Sequence, residues 1–390
     1  MDLVELAQVI SAGEDSKHQF KRDFENPDKL ASEIVAFANG NGGRIFIGID
    51  DKTGLITGLG DNDIRRLNML ISNVASQNVR PAINPATENI VTDSGIVLVA
   101  TVPAGVNRPY QDKDGVFWVK NGSDKRKATS REELQRLFQA SDLIHADETR
   151  VPSMTVADLD LDYFKVFFQR RYGKSLESQK LPLPQLLRNL NVLKDGCLNL
   201  TGALVFGKNA SSFLPAFIVK AGAFNDVKIS TNNYLDEREI AGKIEDIFGR
   251  TVDFVIANLH HVQGNQGFNS VGMPEIPRDT IEELVANALV HRDYFTSAPV
   301  RVFVFRDRVE IISPGHLPNN LQVENIKLGN SCARNPVLAS FAYYVLPYRG
   351  YGSGILRAIE AYPDIDFIDD RESNTFRVII QRHRLVSNEP

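Results

Sequence analysis

The sequence has only two cysteines, Cys197 and Cys332, in 390 residues. That count excludes a disulfide scaffold, the spacing excludes a zinc site, and both suit a reducing compartment. Basic charge is not in excess either. Lys and Arg number 44 against 49 Asp and Glu, for a net charge of −5. Any nucleic-acid contact must then come from a local face rather than from the global field. No apolar run approaches the roughly 20 residues of a membrane span. The start, MDLVELAQVI, is an acidic amphipathic helix rather than a basic signal sequence. The expectation is a cytoplasmic protein with no membrane partner. A G-x-x-x-x-G-K-[ST] loop is missing too, so no helicase motor is expected. Repeats and low-complexity segments are absent. What remains is ordinary: 43% hydrophobic residues in a chain long enough for two or three domains.

Among what is present, Ile281 to Tyr294 (IEELVANALVHRDY) stands out. Ile281, Leu284, Val285, Ala288 and Leu289 recur at helical spacing and predict one buried stripe. Asp279 and Thr280 are candidate N-caps. Glu283 and Asn287 are four apart, so both project from one face. A carboxylate and an amide one turn apart suit a triphosphate: the acid orients or deprotonates water, and the amide oxygen ligates Mg²⁺. The bland alternative is a solvated acid and a core amide.

Two later stretches bear on that choice. Val300 to Ile312 alternates about a turn at Arg306-Asp307, which predicts a hairpin running into Ser313-Pro314-Gly315-His316-Leu317-Pro318. Arg349 to Ile355 (RGYGSGI) places Gly350, Gly352 and Gly354 ahead of a helix, where backbone N–H groups can approach an anion. The order of these parts resembles the GHKL (Bergerat-fold) ATPases of the gyrase, histidine-kinase and MutL group. The resemblance implies ATP and Mg²⁺ as cofactors. Glu283 would be the catalytic group, Asn287 would hold Mg²⁺, Ser313 and Gly315 would lie at the base, and Gly350, Gly352 and Gly354 would wrap the phosphates. That family carries an Asp where this chain has Ser313, and a hydroxyl cannot reproduce a buried carboxylate acceptor for adenine. His291-Arg292-Asp293, I-S-P-G-x-L-P and Arg334-Asn335-Pro336 resemble more closely the C-terminal domain of "RecG-like ATP-binding" transcriptional-regulator proteins. Arg292 or Arg334 could meet phosphate or serve as a structural ion pair. In that family a winged helix-turn-helix often follows; none is expected here, which weakens a sequence-reading role.

The first 140 residues read as a short helix, a strand near His18 to Arg22, a helix Lys29 to Asn39, a buried strand Arg44 to Asp50, a helix from Asp61 and further strands. A Ser130-x-x-Glu133 capping box opens the last helix. Glu14-Asp15, Gln19-Phe20-Lys21, Ala36-Phe37-Ala38-Asn39, Gly42-Gly43, Ile47 to Asp51, Arg108-Pro109-Tyr110 and Val119 to Ser123 resemble the Schlafen AlbA-type domain. The resemblance implies a nucleic-acid-binding α/β module, RNA or DNA, which in some members is a nuclease using three acids. Glu14 matches the first and Asp50 or Asp51 the third as candidate metal ligands; the second is Gln19, which lacks the charge. Lys21, Arg22, Lys120, Lys125, Arg126 and Lys127 are the candidate phosphate contacts. Residues 1–140 hold 17 basic and 19 acidic side chains, so only that local face supports the reading.

The expected organisation is an α/β protein with α+β mixed sheets. It comprises a nucleic-acid-binding domain (1–140), a linker (141–154), a middle α/β region (155–270) and a GHKL-like nucleotide-binding domain (271–385). In the middle region a strand is expected over Leu198 to Phe206 and a long helix over Glu237 to Leu259. The expected function is an ATP-binding regulatory protein, a weak ATPase at most and a homo-oligomer, coupling nucleotide state to nucleic-acid binding. The alternatives are a Schlafen-type Mg/Mn nuclease, or a non-catalytic scaffold with a degenerate nucleotide site.

Overall fold

A computed structural model describes residues 1–139, 144–229, 234–262, 272–318, 321–350 and 352–382. The ends of the linker and C-terminal ranges expected above, 141–143, 271 and 383–385, and Tyr351 of the glycine motif lie outside the described residues. The chain divides into two units, Met1–Ile144 and His145–Pro390, and the fold class is mixed α/β as expected.

In the first unit, α1 (Leu3–Ala12) precedes β1 (His18–Lys21), α2 (Pro27–Asn39) and β2 (Gly43–Ile47). α3 (Asp61–Asn73), β3 (Ala86–Thr92) and β4 (Gly95–Val102) follow, then a hairpin of β5 (Trp118–Asn121) and β6 (Asp124–Lys127), and α4 (Arg131–Gln139). One sheet has the order β1-β2-β4-β3, with β1 and β2 parallel and the other pairs antiparallel. α2 starts where Asn26 accepts from the N–H groups of Asp28 and Lys29 and Pro27 presets the first turn. Every residue from Leu30 to Asn39 is buried, so this helix is the unit's centre.

The second unit is built on a six-stranded sheet, with α5 (Leu161–Tyr172) and α6 (Leu200–Phe206) ahead of it. Next come β7 (Val219–Phe224), β8 (Tyr234–Ile240), α7 (Ile244–Ala257), α8 (Arg278–Val290), β9 (Val300–Val304) and β10 (Arg308–Pro314). The chain then runs through α9 (Pro336–Val345), α10 (Ser353–Ala361), β11 (Ile365–Asp370) and β12 (Thr375–Gln381). The strand order is β8-β7-β9-β10-β12-β11, with only β7 and β9 parallel among its pairs. The sheet takes strands from both sides of residue 270, and one core spans Ala146 to Ile380. The middle and C-terminal regions therefore share a body. The segment expected as a linker is folded from His145 onward: Arg150–Thr155 is a strand paired with Cys197–Asn199.

Two expected elements are corrected. The strand over Leu198 to Phe206 ends at Asn199, whose side chain accepts from Gly202 N at 2.8 Å and caps α6. A short apolar run cannot by itself distinguish strand from buried helix, and the cap decides it. The long helix from Glu237 is instead the exposed edge strand β8 and then α7, separated at Gly242, whose φ of 139° no helix continues.

Candidate functional site

α8 begins after Pro277, two residues before the nearer of the expected caps, so Asp279 and Thr280 lie inside its first turn. Its apolar stripe packs on β10 and α7, and another face meets α10. Glu283 and Asn287 do share a face: Asn287 Nδ2 donates to Glu283 Oε1 at 3.1 Å and to Glu283 O at 2.7 Å. Both of these bonds use the amide nitrogen, leaving the amide oxygen as the group's acceptor. Glu283 is buried to 8% exposure. Its Oε2 is paired with Arg357 at 2.6 Å, a residue of α10 that the sequence reading did not single out. The signal was its position three residues after Gly354, on the helix that the glycine turn opens.

A cavity of about 970 Å³, mouth included, gathers the rest. Glu283, Asn287, Ser313, Gly315, Gly350, Gly352 and Gly354 all line it. Its apolar walls include Ile311, Leu317, Ile326, Phe367, Phe376 and Val378, the mix of apolar lining and a few polar groups usual in small-molecule pockets. Gly352 caps α10 at φ 72°, and a Cβ there would sit 2.1 Å from the Gly329 carbonyl oxygen. A Cβ on Gly354 would sit 1.7 Å from Glu283 Oε1. Glycine is therefore required for this turn to close over the acid. Ser313 is buried, and its Oγ donates to Ala288 O at 3.1 Å. The hydroxyl ties β10 to α8 and carries no charge for a base amino group.

The two motifs of undetermined role are structural. Asp293 N donates to Pro314 O at 2.7 Å, and the Asp293 carboxylate accepts from Phe295 N and the Thr296 hydroxyl, both at 2.9 Å. Arg292 is buried, donates to Thr296 O and Ala298 O, and lies 4.8 Å from the rings of Phe217 and Tyr294. Arg334 is buried and donates to the His316 carbonyl. Asn335 Nδ2 donates to Val290 O at 2.9 Å and Arg292 O at 2.8 Å, closing the end of α8. Neither arginine lines the cavity. Arg334 ties down the Ser313 to Pro318 loop at His316, and Arg292 braces the turn that follows α8. His291 does line it, with Nε2 2.9 Å from the Tyr348 hydroxyl. Burial, and then the Arg334 charge, push His291 down to about 4, so it is neutral at physiological pH.

In the first unit the structure gathers the basic residues but occupies most of them. Lys21 pairs with Asp51 at 3.1 Å, Lys125 with Glu33 at 2.6 Å and Arg126 with Glu133 at 2.6 Å. Lys120 Nζ donates to Gln19 Oε1 at 2.8 Å and Ser123 O at 2.5 Å, and burial lowers its pKa. Lys127 is exposed and sits 5.4 Å from the Trp118 ring. No ion pair involving Arg22 or Lys127 is found among the described residues. The Glu14 and Asp50 metal pair gains no support from the geometry. Asp50 caps its own turn through Lys52 N, Thr53 N and Thr53 Oγ1. Glu14 accepts from Gln19 Nε2 at 2.5 Å and Phe20 N at 2.6 Å. Among the described residues no group of three acids, histidines or cysteines could hold an ion. Asn39 and Arg108, from two of the quoted motifs, bind the backbone around the end of α2.

Among the described residues no helix is long and apolar enough to cross a membrane. The family model "Schlafen, AlbA_2" matches residues 14–129. The model "Putative ATP-dependent DNA helicase recG C-terminal" matches residues 297–380. The DIP2311 protein from Corynebacterium diphtheriae is similar at 22% identity, with 98% of this chain and 80% of that chain covered and a TM-score of 0.46. The N-terminal domain of a RecG-related protein from Nitrosomonas europaea is 20% identical over 34% of this chain and 96% of that chain, with a TM-score of 0.25. No curated protein matches.

Proposed function

From a chain that joins a Schlafen AlbA-type domain to a RecG-type C-terminal ATPase-like domain, we propose an ATP-binding regulatory protein that contacts nucleic acid through its first unit. The observation that carries this is the convergence of Glu283, Asn287 and the three glycines of the Gly350 turn on one apolar-walled cavity. Asn287 would offer its side-chain oxygen to Mg²⁺, and the Gly350 to Gly354 backbone would meet the phosphates. Bound Mg²⁺ would supply neutralisation of the polyphosphate charge. Glu283 would orient water, but Arg357 holds one of its oxygens at 2.6 Å. Hydrolysis then waits on release of that pair, which supports a weak ATPase at most.

The coupling to nucleic acid has a path inside the second unit. His145 Nδ1 lies 3.4 Å from Arg334 O, and Asp147 Oδ2 accepts from Leu338 N at 2.9 Å. The chain entering this unit is therefore pinned to the segment that braces the cavity loop. Nucleotide-dependent movement of that loop would reach the entry strand and change nucleic-acid affinity or self-association. Trp118 with Lys127, and Arg22, are the groups we assign to nucleic acid, by stacking and phosphate contact.

A second reading, a non-catalytic scaffold, draws on Ser313, whose hydroxyl is committed to Ala288 O. Calorimetric titration with ATP and Mg²⁺, wild type against Asn287→Ala, separates the two. Binding lost in the variant supports the nucleotide reading, whereas no binding by the wild type leaves the scaffold.

A further inference from the structure

A second cavity adjoins the first and shares with it His291, Ser331, Tyr348, Arg349 and Gly350. It measures about 870 Å³, mouth included, and its far wall carries Arg171, Ser340, Tyr343 and Tyr344. Two guanidiniums and several hydroxyls face one space, and among the described lining residues there is no carboxylate.

Arg171 is the informative member. It sits in the last turn of α5, with its guanidinium 4.7 Å from the Tyr344 ring, 5.1 Å from Phe341, 5.2 Å from Tyr172 and 5.9 Å from Phe167. Rings hold a guanidinium through its charge and its faces, and they do not accept its in-plane N–H bonds. Its Nη1 is buried with no hydrogen-bond partner among the described residues. The neighbouring Arg170 shows the ordinary solution, with Glu245 at 3.6 Å. A buried donor of a charged group is costly to leave unmet, so the guanidinium gains by turning from the rings toward an oxyanion in the cavity it lines, where Nη1 would find an acceptor.

We propose that this second cavity is a binding site for a phosphate group, held by Arg171 and Arg349 with the Ser331 hydroxyl. The site stands on its own charge and donors; only the identity of the phosphate's carrier rests on the nucleotide reading. The shared wall at Gly350 would let the terminal phosphate of a nucleotide in the first cavity reach it. A separate phosphorylated ligand has the same chemistry.

The test is calorimetry with inorganic tripolyphosphate, and with Mg²⁺ plus ATP or AMP, on the wild type, Arg171→Gln and Arg349→Gln. Arg349 is exposed, so its variant keeps the fold even if Arg171→Gln loses stability, and melting curves check both. We expect tripolyphosphate affinity to fall tenfold or more in each variant. If ATP falls in parallel while AMP does not, the carrier is the nucleotide. If ATP is unchanged, the carrier is a separate ligand. Tripolyphosphate binding that depends on Arg171 in a protein that binds no ATP would sink the nucleotide reading and keep this site. Tripolyphosphate and ATP affinities unchanged in both variants, or no binding of either probe by the wild type, overturn the proposal.

Discussion

Each unit of this protein contains a carboxylate, an amide and a cation in a row, and the order differs. In the first, Gln19 is in the middle: Nε2 donates to Glu14 and Oε1 accepts from Lys120. Both ends of the amide are used, and the trio is closed. In the second, Glu283 is in the middle, between Asn287 Nδ2 and Arg357. The amide oxygen of Asn287 is left to serve another partner, on the wall of a cavity. The same three functional groups make a structural tie in one place and leave an amide oxygen at a cavity wall in the other. What separates them is which group is shared, and that depends on the elements that carry them. Gln19 and Glu14 are near in sequence around β1, whereas Glu283 and Arg357 come from two helices that pack together.

The comparison can be broken at several points. The largest effect is expected from Gly352→Ala. A side chain at φ 72° and 2.1 Å from the Gly329 oxygen would cost about 2–4 kcal/mol of stability and open the second trio's cavity, as denaturant melts and ATP titration would show. Unchanged stability would mean the turn is not held as described.

Asp147 is a buried acid that belongs to neither trio. Burial raises it to about 6, although Leu338 N stabilises its charge. A carboxyl whose folded pKa exceeds its unfolded value favours the folded state most at low pH. That contribution is lost as pH rises from about 4 through about 6. Asp147→Asn should therefore be more stable than wild type at pH 7.5, by about 1–3 kcal/mol, with the gap closing near pH 4. A gap that does not depend on pH would refute the titration.

Asn287→Ala should weaken ATP binding about tenfold or more, or about 1.4 kcal/mol, in the presence of Mg²⁺. Without Mg²⁺ it should leave nucleotide affinity nearly unchanged. Equal losses in both conditions would assign Asn287 a packing role. The smallest effect is expected from Gln19→Glu, which sets two carboxylates side by side in the closed trio. Like charges there should cost about 1 kcal/mol, partly offset by Lys120. Recovery of the melting temperature on adding Mn²⁺ would show that this one substitution suffices to bind a metal ion beside Glu14.

The parts of the site legible in the sequence are those set by local spacing. Four residues on a helix brought Glu283 to Asn287, and Gly350, Gly352 and Gly354 announced a turn that opens a helix. Arg357 and Arg171 were not legible, because their partners lie on distant helices and no local pattern records that α10 meets α8. The basic hairpin and β1 were legible as charge but not as pairing. Lys21, Lys120, Lys125 and Arg126 read as free cations, yet their partners Asp51, Gln19, Glu33 and Glu133 are placed by the fold. The strand predicted over Leu198 to Phe206 failed because its apolar run carries no period, and one capping side chain settled it.

By itself, the sequence determined the α/β class, the acid and amide on one helix face, the glycine turn and the two family resemblances. These depend on periodicity and on residues whose backbone demands are local. Tertiary structure alone decided that the second unit shares one sheet across residue 270, that Arg357 holds Glu283, and that Arg171 is left with an unmet donor. Charge partners and shared strands are long-range contacts, and their energies depend on distance and burial that neighbours in the chain do not encode.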